Sequence, residues 1–116
     1  MDNEKFKELA DGWKAATDHV LGCKEIDRKV LSDLFQDTYL LIKKYSAETM
    51  IPRELYRVLW EMNDFHWWVI ESEETPIHFL YQEITSLVIE FNNFVVRGWT
   101  NELDIRYLIA KIADEV

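Results

Sequence analysis

Apolar side chains recur at intervals of three and four along almost the whole chain, and no stretch alternates apolar with polar residues between turn signals. A stripe with that spacing closes only on an α-helix, whereas a half-buried strand needs a period of two. The hairpin dipeptides Asn-Gly and Gly-Gly are missing. The chain is therefore expected to be all-α.

Five segments carry the pattern. The first, from about Asp2 to Leu21, has a narrow seam of Phe6, Leu9, Trp13, Ala16 and Val20, with Gly22 as its stop. The second, from about Glu25 to Tyr45, gathers Val30, Leu31, Leu34, Phe35, Thr38, Leu41, Ile42 and Tyr45 on one broad arc; Lys29, Ser32, Asp33, Gln36, Asp37, Lys43 and Lys44 occupy the rest. Periodicity breaks between Ser46 and Ile51, and Pro52, with Thr49 or Ile51 ahead of it, restarts a helix that runs to about Glu71. Its inner arc is Leu55, Val58, Leu59, Met62, Phe65, His66, Val69 and Ile70.

Ser72-Glu73-Glu74 forms a polar turn, after which Thr75 as cap and Pro76 as first residue open a fourth helix, closed by Gly98. Its seam of Ile77, Leu80, Tyr81, Ile84, Leu87, Val88, Phe91, Phe94 and Val95 is nearly an unbroken heptad pattern, and only Glu83, Glu90 and Arg97 carry charge. It is expected to be the most buried helix. Thr100 caps a last helix from Asn101 to about Glu115, with Ile105, Leu108, Ile109, Ile112 and Val116 inward. Short links favour antiparallel neighbours, so residues 1–116 are expected to form one domain, an up-down antiparallel four-helix bundle with an additional C-terminal helix. A chain of 116 residues supports such a core without a staple.

Twenty-two acids against thirteen bases give a net charge of −9. That charge repels polyanions, which argues against nucleic acid and anionic membrane and leaves room for a basic protein. The bases do not gather into a stripe with aromatics between them. No run approaches the ~18 apolar residues of a membrane span. Cys23 is the only cysteine, so no internal disulfide can form, and a reducing cytoplasm is the expected location.

The inventory for catalysis is thin. Three scattered glycines make no phosphate loop, and no serine sits in a nucleophile elbow. No histidine has an acid three residues before it, as a di-metal bundle would need, so neither metal nor other cofactor is expected. His66 falls within a core arc and reads best as a core histidine bonded across the bundle to Thr38, Tyr45 or Tyr81. His19 and His78 read as exposed or cap-adjacent, and Cys23 as a small buried or half-buried filler.

The anomaly is an aromatic surplus on the third segment. Its core arc is already full, yet Tyr56, Trp60 and Trp67 share a second stripe, 100–140° round the helix from Leu55, with Asp64 and Glu71 just beyond. Residues 48–75 hold seven acids and two bases. Large rings beside carboxylates have the make-up of a binding hot spot for a cationic partner. The same stripe would equally serve to pack on another helix or on a second copy of the chain. Trp68 turns to the far side near Glu61 and is the tryptophan most expected to stay exposed.

Small size, helical architecture, acidity and the thin catalytic inventory are the general character of helical inhibitor and immunity proteins, which neutralise basic toxins such as nucleases. At that class level the expectation is a protein-binding module, not an enzyme. Its partner-binding residues would be Tyr56, Trp60, Asp64, Trp67, Trp68, Glu71, Glu73 and Glu74. The alternatives are a homodimer or complex subunit using the aromatic stripe as its interface, and a helical enzyme or ligand carrier with a pocket at His66.

Overall fold

A computed structural model describes residues 3–45, 50–98 and 100–115. They form five helices, α1 (Asn3–Leu21), α2 (Arg28–Tyr45), α3 (Arg53–Glu71), α4 (Tyr81–Arg97) and α5 (Glu102–Ile112). A 3₁₀ turn spans His78–Leu80, and there is no strand among the described residues. The all-α expectation holds. Thr49 and Val116, an expected cap and an expected core residue, lie outside the described residues.

Local chemistry sets the boundaries, in places not where the apolar spacing puts them. Asp27 opens α2: its carboxylate accepts from the Lys29 amide at 2.8 Å and its carbonyl from Leu31 at 3.0 Å. The fourth helix starts five residues later than Pro76. The Thr75 hydroxyl accepts from the Ile77 amide at 3.3 Å and its carbonyl from His78, closing a turn that competes with helix, so α4 begins only at Tyr81. At α5 the cap is Asn101, whose side chain accepts from the Leu103 and Asp104 amides, while Thr100 donates instead to the Glu90 carboxylate.

Gly98 closes α4 in the left-handed conformation, with φ 75°. At the end of α1 the left-handed residue is Cys23, φ 50°, one position after Gly22. The Cys23 and Lys24 amides turn back to the carbonyls of Val20 and His19, at 3.0 and 2.8 Å. Held in that turn, Cys23 is exposed and fills no gap in the core.

The contacts close a ring of four helices in the order α1, α2, α4, α3, and α5 covers α2 and α4. Pairs along the ring fix the directions. Gly12 meets Leu34 while Lys5 pairs with Asp37, so α1 and α2 run oppositely. Asn63 bonds Asn92 and His66 bonds Thr85, so α3 and α4 also run oppositely. Phe35 packs on Phe91 and Tyr39 on Phe94, so α2 and α4 run together. It follows that α1 and α3, the most extensively packed pair, are parallel. Consecutive helices α2 and α3 are not one of the packed pairs; they face each other across the ring.

Small residues in the α1 seam, Ala10, Ala16 and Thr17, alternate with Phe6, Leu9, Trp13 and Val20 and let α3 lie close. Asp11-Gly12 is no turn but part of α1, and a Cβ on Gly12 would come within 2.7 Å of Leu34 Cδ2. The centre of the core is aromatic. Trp13 meets Phe35 edge-on at 4.8 Å and Phe65 at 5.3 Å, and Phe35 passes the contact to Phe91 on α4 at 5.9 Å.

The cover by α5 corrects the reading of α2. Ser32 and Tyr39, off the expected arc, are buried, and the Ser32 hydroxyl donates to the Ile109 carbonyl at 3.2 Å. Val30, on the arc, is exposed, as are Ile70 of α3 and Tyr81 of α4. Arg28 donates to the carbonyls of Lys111 and Ile112 at 2.9 Å, satisfying the end of α5. Nor is α4 buried all round, because its outer face leaves Ile89 and Val96 in water.

Candidate functional site

Pro52 presets the entry to α3 and its carbonyl receives the Leu55 amide at 3.0 Å. From there Leu55, Val58, Leu59, Met62, Phe65 and Val69 turn inward. Residues about 120° round the helix therefore face out. Tyr56, Trp60 and Trp67 are 53%, 71% and 57% exposed, successive members of one stripe on successive turns. The stripe does not belong to the core.

Trp68 is placed differently from its expectation. Successive helical residues are 100° apart, so it turns to the flank opposite α4, where α1 lies, and packs half-buried against the core. It does not belong to the exposed stripe. Of the expected carboxylates, Asp64 is half-buried between Trp60 and Trp67, and Glu71, Glu73 and Glu74 are exposed at the C-terminal end of α3 and in the turn beyond. No base occupies the last turn of α3, so these charges sit unopposed at the negative end of its dipole. That placement costs stability and concentrates negative potential at one end of the aromatic stripe.

The face extends onto α4, through residues that the seam of α3 does not reveal. Asn63 and Asn92 exchange side-chain hydrogen bonds, at 3.2 and 2.9 Å, across the seam between the two helices. Because α3 and α4 run oppositely, one turn from this clasp brings Ile89 level with Trp67, and the other brings Val96 level with Trp60. Ile89 is 50% and Val96 84% exposed. The sequence signal was present, since both depart from the inward seam of their helix, but only the clasp shows which neighbour they border.

Trp60, Asn63, Asp64 and Trp67 line a shallow recess of about 210 Å³ on this face. A larger one, about 280 Å³, lies between α1 and α2, lined by Gly12, Ala15, Ala16, Ile26, Val30 and Leu34 among others. His66 lines neither. Its Nε2 is 2.9 Å from Thr85 Oγ1, so the histidine does bond a hydroxyl across the bundle, from α4 and not from the three residues expected. Burial lowers its pKa below the usual 6.5. His19 is exposed, while His78 is half-buried, with Nδ1 2.9 Å from the Val69 carbonyl and its ring stacked on Tyr81.

Among the described residues no three His, Cys, Asp or Glu side chains are grouped to hold a metal ion, and no helix is long and apolar enough to cross a membrane. Comparison with protein-family models, with curated proteins and with solved structures finds no match. The chemistry of the face itself is what bears on function.

Proposed function

We propose that the protein is a binding module that holds or blocks a basic protein through the outer face of α3 and α4, in the manner of an inhibitor or immunity protein. The observation that carries this reading is the exposure of Tyr56, Trp60 and Trp67 in one line beside Asp64 and Glu71. Large rings kept in water lose the free energy of burial unless a partner covers them, and aromatic anchors are what dominate interface energies. Net charge supports one class of partner over the other. At −9, two copies of this chain repel, whereas a cationic surface is attracted and steered.

The test uses the full chain as bait in native lysate, beside a Trp60→Ala/Trp67→Ala double variant that melts at the wild-type temperature. The reading expects a basic protein, identified by mass, that is held by the wild type and lost by the variant. Capture unaffected by the double substitution would move the interface elsewhere, and a sedimentation mass of two chains lost in the variant would make the face a self-interface.

A further inference from the structure

We infer that the recess between Trp60 and Trp67 seats one arginine side chain of the partner. This rests on the proposed docking face and adds the chemistry of its central contact. Trp60 and Trp67 stand two helical turns apart, roughly 10.5 Å along the axis. Asn63 and Asp64 lie between them in sequence and line the same recess.

The hydrogen-bonding groups of these two side chains are spent in one sense only. Both hydrogens of the Asn63 amide are engaged, one with the Leu59 carbonyl at 2.7 Å and one with Asn92 Oδ1 at 3.2 Å. Its oxygen accepts from Asn92 at 2.9 Å and keeps a second lone pair. Asp64 adds a carboxylate, and among the described residues no lysine, arginine or histidine pairs with it. The surface that lines the recess is almost wholly apolar, with the acceptors of Asn63 and Asp64 beside it and, apart from the indole N–H groups, no free donor. An anion finds little to bond there, whereas an apolar stem that ends in a donor lies on the rings and reaches the carboxylate beside them.

The walls make the same selection. Indole faces carry negative quadrupole potential and attract a cation within about 6 Å. Among the described residues no cation of the chain is placed there, the cation–ring contacts being those of Arg28 with Phe79, Lys43 with Tyr39 and Lys44 with Tyr45. Guanidinium suits this site better than ammonium. It is planar, stacks on an indole, is weakly hydrated, and presents a fork of N–H donors to a carboxylate.

The experiment follows the indole N–H signals of the full-length, nitrogen-15-labelled protein by NMR, assigned with single Trp→Phe variants. The probes are N-acetyl-arginine methylamide and its neutral isostere N-acetyl-citrulline methylamide, each taken into the tens-of-millimolar range. The arginine probe is expected to shift the Trp60 and Trp67 signals progressively and the citrulline probe severalfold less, with the buried Trp13 signal unmoved by either. In Asp64→Asn the arginine shift should fall severalfold, with the Trp13 signal in place as witness to the fold. Equal shifts with the two probes, or none at Trp60 and Trp67, would overturn the inference. The docking face is judged separately. If a basic protein is still captured in a tryptophan-dependent way while arginine leaves the indoles unmoved, the face stands and the arginine seat falls. If arginine binds and no basic protein is captured, the docking reading falls and the recess remains a guanidinium site.

Discussion

The indole N–H of Trp13 donates to the hydroxyl of Thr38 at 3.0 Å in the fully buried centre of the molecule, joining α1 to α2. The bond lets a large ring be buried without an orphaned donor. Trp60, with its ring in water, has no comparable structural duty. Thr38→Val should therefore destabilise by about 1–3 kcal/mol, the cost of a buried unsatisfied donor. Trp60→Ala should change stability by less than about 0.5 kcal/mol, as exposed substitutions do. Chemical denaturation of the two variants checks the pair, and a large loss in Trp60→Ala would place that ring in the core.

Cys23 holds a left-handed conformation that only glycine adopts at no cost. Cys23→Gly should raise stability by about 1 kcal/mol, with no change in the helical spectrum. The amides of Cys23 and Lys24 keep their bonds to α1 in the variant, so a fall in melting temperature would mean that the exposed thiol has a partner of its own.

Tyr39 is buried beneath α5, and its hydroxyl has no hydrogen-bond partner of good geometry. Burial first, and the nearby Glu102 carboxylate second, push its pKa from 10.0 up to about 12. The folded state thus holds this proton more tightly than the unfolded chain. Its contribution to stability is complete below pH 10 and is lost as the pH rises towards about 12. Tyr39→Phe should flatten that alkaline decline, measured as melting temperature against pH, and leave stability at pH 7 nearly unchanged. An equal decline in the variant would assign it to other groups.

Glu71 ends α3 where the dipole favours a cation. A charge of the right sign there is worth typically about 0.3–1 kcal/mol, so Glu71→Lys should melt slightly higher than the wild type. The same substitution should weaken capture of the basic partner. A variant that is both more stable and still fully competent would remove Glu71 from the face.

How much of this was legible in the sequence differs between helices for one physical reason. A seam such as Phe6, Leu9, Trp13, Ala16 and Val20 faces a single centre, so spacing alone names its buried residues, and all five are buried. Ser32 and Tyr39 are buried by α5, a helix some seventy residues away, and no local period records that. Turn chemistry overrode spacing at Thr75-Pro76, where a side-chain turn delays α4. For the face, the spacing gave the angle of Tyr56, Trp60 and Trp67 to their own core. Whether a neighbour covers that angle depends on the ring order of the helices. With α1 and α4 flanking α3 and α2 across the ring, the stripe is left open and Trp68 is not.

The central claim is that the rings anchor a basic protein while the carboxylates draw it in. The most direct measurement is the association and dissociation kinetics of the captured partner at several salt concentrations, with every variant first shown to melt normally. Charge reversal at Asp64 and Glu71 should slow association and flatten its salt dependence, because exposed charges act within a Debye length of ~8 Å at physiological ionic strength. Trp60→Ala or Trp67→Ala should leave association nearly unchanged and speed dissociation, by about 2 kcal/mol or more for an anchor ring. Dissociation at the wild-type rate from normally folded tryptophan variants, with association indifferent to charge reversal, would contradict the account.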